Sequence, residues 1–164
     1  DINLLGRNIF YEFKIPKGRG DISKIKIKKK IIRFIDESYN ANPLSVSSAI
    51  KNFDLIKKIS GEKILILSDM LELGRHSKKL HEKLAIEINS SKIDNVHVYG
   101  KNIKYTFNKI VPKKRGLVLK DRKEIINLIK NNINNKDYLM IKGSNMTGLH
   151  TLANNLKKGN LNVL

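Results

Sequence analysis

Short, nearly continuous apolar runs alternate along this chain with longer stretches whose apolar residues recur every three or four positions. The runs at residues 22–28, 30–35, 63–67, 96–99, 116–119 and 138–141 read as strands. The patterns at 44–59, 77–90, 103–110, 122–133 and 149–157 read as helices; in the second, Leu80, Leu84 and Ile88 fall four apart on one face. "KILILSD" and "DYLMIKG" are apolar almost throughout, as in parallel strands covered on both faces. Strand and helix in regular alternation predict an α/β fold of three layers. Its sheet is doubly wound, mostly parallel and Rossmann-like, with about six strands. The first two runs are joined by little more than Lys29, which suggests an edge hairpin or antiparallel strand.

Residues 1–15 stand outside the alternation, and "IPKGRGD" reads as a hinge-like turn ahead of the first strand. The expected organisation is one domain over 16–164 preceded by a remnant or linker at 1–15. No run reaches the ~18 apolar residues that span a bilayer, and the start lacks a signal-like apolar stretch. With no cysteine, a disulfide framework, a thiolate metal site and a Cys nucleophile are excluded. A cytoplasmic domain without a membrane partner is the expectation.

Charge changes the picture less than its size suggests. The sequence holds 33 Lys and Arg against 15 Asp and Glu, a formal +18. The surplus comes as Lys, Ile and Asn together, in "KIKIKKKIIRF" and "IKNNINNKDY", a trio that AT-rich coding produces anywhere. Aromatic residues make up 6%, there is no Trp, and no basic stretch is interleaved with stacking rings. A nucleic-acid partner therefore rests on charge alone. A phosphate-rich small ligand would be equally well served.

In open α/β sheets ligands bind beyond the carboxyl ends of the strands, and three such ends carry unusual polar sequence. "FIDESYNANPLS" offers the Asp36 carboxylate, the Tyr39 ring and the Asn40 and Asn42 amides. These could grip a ribose and an adenine, or simply decorate a helix capped by Asn42 and begun by Pro43. "LSDMLELGRHS" offers Asp69, Glu72 and His76, but without metal-ligand spacing, so a turn into a helix is the plainer account. "IKGSNMTGLH" offers the Lys142 cation and Ser144 at a helix start suited to an anion. The G-x-x-x-x-G-K-[ST] phosphate loop is absent from the chain. His81, His97 and His150 have no triad partner in the sequence and read as packing. Arg19 lies between Gly18 and Gly20, where it could fork a phosphate or sit in a solvated turn.

Taken in order, these blocks resemble the C-terminal domain of the Mur ligases. The family's D-[DE]-S-Y-N-A-N-P stands intact at Asp36–Pro43, in the form of the branch that adds D-alanyl-D-alanine. Its G-D-M-x-E-L-G stands at Ser68–Gly74 with Ser68 in place of the first Gly. A following His matches His81, a late K-G-S matches Lys142–Ser144, and a G-R-G turn matches Gly18–Gly20. The resemblance implies an ATP-dependent amide ligase of peptidoglycan synthesis. ATP activates the carboxylate of UDP-N-acetylmuramoyl-tripeptide as an acyl phosphate, and the amine of D-alanyl-D-alanine displaces phosphate. It implies Arg19 as the catalytic group at the terminal phosphates, and Asp36, Tyr39, Asn40 and Asn42 around ribose and adenine. Lys142 and Ser144 would serve the dipeptide, with Asp69 ordering that rim. No residue of this chain is expected to ligate metal. Mg2+, most ATP contacts and the UDP-linked substrate belong, on this resemblance, to domains beyond this one, so the chain alone is expected to be inactive. A free-standing nucleotide- or phosphate-binding module and a basic nucleic-acid binder remain the competing readings.

Overall fold

In the computed structural model, residues 18–160 are described; the segment expected as a remnant at 1–15 lies outside them. Among the described residues six strands form one sheet: β1 (Asp21–Ile27), β2 (Lys30–Glu37), β3 (Lys63–Ser68), β4 (Asn95–Tyr99), β5 (Arg115–Leu119) and β6 (Tyr138–Lys142). Their spatial order is β1-β2-β6-β3-β4-β5. Only β1 and β2 pair antiparallel, with Ile27 opposite Lys30 across a turn in which Lys28 takes the left-handed region at φ 54°. The other pairs are parallel. All residues of β3 and β6 are buried, because helices cover both faces of these central strands.

The helices are α1 (Pro43–Leu55), α2 (Ser77–Ser90), the single turn α3 (Lys104–Phe107), α4 (Arg122–Asn131) and α5 (Leu149–Lys157). Side-chain alternation sorts the strands between two cores. Ile35, Leu65, Leu67, Val96, Val98 and Met140 face the layer of α1 to α3. Phe34, Ile64, Ile66, Leu139 and Ile141 face α4 and α5. The α1 start follows from its sequence: Pro43 occupies the first turn, the Asn42 side chain accepts from Ser45 N at 2.8 Å, and Asn42 N donates to Ser45 Oγ at 3.0 Å.

The apolar spacing in 44–59 predicted four further helical residues, but the backbone leaves the helix at Ile56, where ψ is 118°. There the buried Lys63 ammonium donates to Asp54 O at 2.7 Å, satisfying a carbonyl that a further turn would have used. The pattern at 103–110 yields one helical turn, since Ile110 N turns back to Thr106 O and Phe107 O before β5. From β3 the chain steps outward to β4 and β5, and α4 then returns it to β6, between β2 and β3. This reversal sets three carboxyl ends side by side. Lys142 of β6 is in register with Glu37 of β2 on one side and Leu67 of β3 on the other.

At the outer edge, His97 of β4 is 5% exposed and its Nδ1 accepts from Leu117 N at 2.9 Å, inside the register shift between β4 and β5. Burial pushes this imidazole from its ordinary 6.5 down to about 4. The fold thus favours the neutral ring. That stability is complete above pH 6.5 and is lost as pH falls toward 4. Denaturant titrations should show roughly 2 kcal/mol less stability at pH 5 than at pH 7 from this group. A His97→Asn variant, whose Oδ1 can take the same N–H, should flatten that part of the profile; an unchanged slope would show that other groups carry it.

Candidate functional site

The three adjoining strand ends open into a cleft of about 530 Å³ lined by Tyr39, Asn40, Asn42, Glu72, Ser144 and Met146, among others. It stands at the topological switch point, where open α/β sheets bind ligands. A larger hollow of about 760 Å³ lies at the opposite, amino end of the parallel strands. Its buried Lys63 and Lys114 already serve the last carbonyls of α1 and α2, Lys63 through Asp54 O and Lys114 through Ile88 O at 2.8 Å. We therefore place the candidate site at the smaller cleft.

Arg19 sits on the turn before β1 with its guanidinium carbon 4.9 Å from the Tyr39 ring centroid. It is exposed, and its N–H groups have no hydrogen-bond partner among the described residues. Both flanking glycines are left-handed, at φ 77° for Gly18 and 91° for Gly20. A Cβ on Gly18 would lie 2.9 Å from both Tyr39 Cβ and His150 Nδ1, so only glycine admits the approach. Tyr39 is 41% exposed and meets the His150 ring edge-on, with centroids 5.6 Å apart. Asn40 and Asn42 are also exposed. Their side-chain oxygens are engaged by Ala41 N at 2.7 Å and by Ser45 N, which leaves each amide NH₂ without a hydrogen-bond partner among the described residues.

The other sequence-derived residues are present at the same edge but turned inward. Asp36 is fully buried, with Oδ1 accepting from Ser38 N at 3.1 Å and Ser38 Oγ at 2.5 Å, and Oδ2 paired with Lys157 Nζ at 2.5 Å. Lys142 is 2% exposed and donates to Asn40 O at 2.5 Å and Glu37 O at 3.2 Å, with the Glu37 carboxylate 3.6 Å away. Burial lowers the Lys142 pKa against the opposing pull of Glu37, and burial raises that of Glu37 against Lys142. Ser144 Oγ accepts from Leu71 N at 3.1 Å and donates to Ala41 O at 3.3 Å, tying the β3 and β2 loops to the β6 loop. Asp69 receives Ile103 N at 2.7 Å and Lys101 N at 3.1 Å, so its carboxylate orders the loop after β4. Glu72 forms no comparable bond among the described residues; it lines the cleft in a left-handed conformation at φ 63°.

Ser68, at the position of the family's leading Gly, is buried and donates to Tyr99 O at 2.5 Å. Room for its side chain comes from the facing Gly143, where an added Cβ would lie 2.8 Å from Ser68 Cβ. His81 is packing with a polar purpose: Nδ1 meets Ser77 O at 2.8 Å, and Nε2 accepts from Met70 N at 3.1 Å. His150 exceeds the packing role expected of it. Its Nδ1 lies 3.2 Å from Ser38 Oγ and its Nε2 3.1 Å from Asn154 Nδ2. Sequence reasoning also missed Ser38 and Lys157. The available signal was the polar stripe His150, Asn154, Lys157 at helical spacing, beside the apolar stripe Leu149, Leu152, Ala153 and Leu156. Among the described residues, no three His, Asp or Glu side chains stand together as a metal site.

The family described as Mur ligase, glutamate ligase domain, matches residues 23–145. A UDP-N-acetylmuramoyl-tripeptide–D-alanyl-D-alanine ligase of Rickettsia prowazekii is 31% identical over 150 residues, 87% of this chain and 32% of that protein. The ligase of the same name from Bacillus subtilis is 30% identical over 76% of this chain and 28% of its own length. The chain thus spans about a third of the curated relatives it matches. The MurF ligase of Thermotoga maritima, solved in complex with ADP, superposes with a TM-score of 0.71 at 23% identity, over 90% of this chain and 32% of that one, and speaks for the fold alone. MurF of Acinetobacter baumannii gives 0.70 at 26% identity with the same coverage. A family match over most of the chain, with strand ends that carry its sequence blocks at one cleft, shows that this chain belongs to the Mur ligases as a C-terminal domain of the MurF type.

Proposed function

We propose that this domain closes over ATP and shapes the amine side of a ligase that joins D-alanyl-D-alanine to UDP-N-acetylmuramoyl-tripeptide in the cytoplasm. The observation that carries this reading is Arg19, without a hydrogen-bond partner among the described residues and with its guanidinium over the exposed Tyr39 ring that lines the cleft. A planar guanidinium held there presents a fork of donors to phosphate oxygens. Tyr39 offers a ring face to a base, and the unspent Asn40 and Asn42 amides offer donors to its edge.

In the reaction, a carboxylate oxygen of the tripeptide attacks the γ-phosphorus of ATP and ADP leaves. The amine of the dipeptide then attacks the acyl carbon, sheds a proton and expels inorganic phosphate. Charge builds on the transferred phosphoryl group, so a fixed cation stabilises that step by position and electrostatics. Arg19 is assigned that part. Asp36 was expected to hold the ribose, yet both its oxygens are engaged by Ser38 and Lys157. Lys142, Ser144 and Asp69 are likewise spent within the fold. We assign these four to holding the walls of the cleft, and ligand contact to Arg19, Tyr39, Asn40 and Asn42. Mg2+ and the UDP-linked substrate are assigned to the part of such ligases that this chain does not span.

Two measurements test this. In calorimetric or NMR titrations, Arg19→Ala should weaken ADP roughly 10-fold while leaving adenosine unchanged, since one charge-assisted contact is worth about 1.5–3 kcal/mol. Tyr39→Ala should weaken both ligands, because a base–aromatic stack contributes about 1–3 kcal/mol. Equal losses of ADP and adenosine on removing Arg19 would take it off the phosphates. Separately, the chain incubated with ATP, tripeptide substrate and D-alanyl-D-alanine should form no amide product. Product above background would show that the whole reaction fits within this domain.

A further inference from the structure

We propose that α5 is the positioning element of the nucleotide edge, with His150 and Lys157 as positioning residues that set Arg19 and Tyr39. The inference rests on the reading above in taking those two residues as ligand contacts. It goes beyond it in assigning their geometry to a helix remote in sequence.

The connections are continuous. Lys157 Nζ bridges Asp36 Oδ2 at 2.5 Å and Asp21 Oδ2 at 3.0 Å. Asp21 Oδ1 accepts from Gly18 N at 3.0 Å, Gly18 O accepts from Tyr39 N at 3.1 Å, and Gly20 N donates to Asp36 O at 2.8 Å. Both glycines around Arg19 are therefore tied to groups that Lys157 holds. On the other branch, the Ser38 hydroxyl proton goes to Asp36 Oδ1 at 2.5 Å, so Ser38 Oγ is left to accept from His150 Nδ1–H at 3.2 Å. His150 Nε2 then accepts from Asn154 Nδ2 at 3.1 Å, which fixes both the tautomer and the ring plane. That plane sets the Tyr39 contact, edge to face at 86°, and Tyr39 in turn carries the Arg19 guanidinium.

Holding α5 on the sheet does not require this polar stripe. Leu149, Leu152, Ala153 and Leu156 are all at most 1% exposed and already dock the helix. An ammonium shared by two carboxylates in a partly buried place is a poor source of stability compared with apolar packing, but a strict source of direction. Burial alone would lower the Lys157 pKa; the hydrogen bonds to Asp36 and Asp21 overcome it and hold the ammonium above its ordinary value, so the bridge stays charged.

The test compares Lys157→Met with Lys157→Arg and His150→Ala with His150→Asn in the 164-residue chain. Three properties are read: the unfolding midpoint, the Arg19 side-chain Nε–H and Tyr39 amide resonances, and the ADP and adenosine dissociation constants. Lys157→Met and His150→Ala should still unfold cooperatively. They should displace the Arg19 and Tyr39 resonances and weaken ADP about as much as Arg19→Ala does, roughly 10-fold. Lys157→Arg and His150→Asn, which keep a donor in place, should recover most of both. Resonances that stay in place in the Met and Ala variants, or Ala and Asn variants that behave alike, would overturn the inference. If Lys157→Met does not fold, His150→Ala decides the matter, since it leaves Asp36 paired. If the parent chain binds neither ADP nor adenosine, the proposed function falls, while the Arg19 resonances still decide whether α5 positions that turn.

Discussion

A carboxylate at the end of a parallel strand, wholly removed from water, must find a cation and hydrogen-bond donors to replace the water it has lost. Asp36 meets that demand with Lys157 from the last helix and Ser38 from its own loop. The rest of the site depends on this arrangement. Because Lys157 also holds Asp21, the edge strand β1 and the end of β2 are tied to one point on α5, and the Arg19 turn is fixed between them. The sheet brings the strand ends together; the buried charge gives the loops beyond them one conformation.

The same division of labour recurs at the other two strand ends. Loops that leave a sheet expose backbone N–H groups that need acceptors, and this chain supplies them from short buried side chains. Asp69 receives two amides of the loop after β4, His81 receives Met70 N, and Ser144 receives Leu71 N. The Asp69 and Ser144 bonds join loops distant in sequence, so the cleft walls are braced against each other, while His81 ties the loop after β3 to the helix that follows it. Small residues make the bracing possible: Gly143 leaves space for Ser68, and Gly100 for Asp69, whose Oδ1 would lie 2.5 Å from an added Cβ. A rim built this way presents its few unspent polar groups in fixed directions, as ligand selection requires.

The strands and the doubly wound order were legible because the burial that creates β3 and β6 also writes an unbroken apolar run, as in "KILILS" and "YLMIK". The antiparallel edge was legible from the near absence of a connection at Lys29. Helix ends were less so. The apolar positions Ile56 and Ile59 prolong the α1 pattern, but Lys63, from the next strand, captures the terminal carbonyl, and periodicity carries no information about such a long-range cap. Within the site, Arg19, Tyr39, Asn40 and Asn42 could be chosen by chemical type and lie outward at one edge. The inward direction of Asp36, Lys142, Ser144 and Asp69 could not be read, because residue type shows what a side chain can bond and not whether the fold has already used it. His150 and Lys157 were hidden for the same reason: their partners lie 112 and 121 residues away.

This bears on how the stretch from Asp36 to Pro43 works as a unit. Successive residues answer different physical demands. Asp36 and Ser38 are buried and bind α5, Glu37 pairs with Lys142, Tyr39 and Asn40 face outward, Ala41 packs in the core, and Asn42 with Pro43 starts α1. A substitution at an inward position would displace the outward ones through the shared backbone, even though it touches no ligand. The formal +18 fits the same logic. Lys63, Lys114, Lys142 and Lys157 are spent on carbonyls and carboxylates within the fold, so a count of cations overstates what an anion would meet. At this edge Arg19 stands exposed over the Tyr39 ring, and the buried polar groups around it are spent on the turn and loop that carry it.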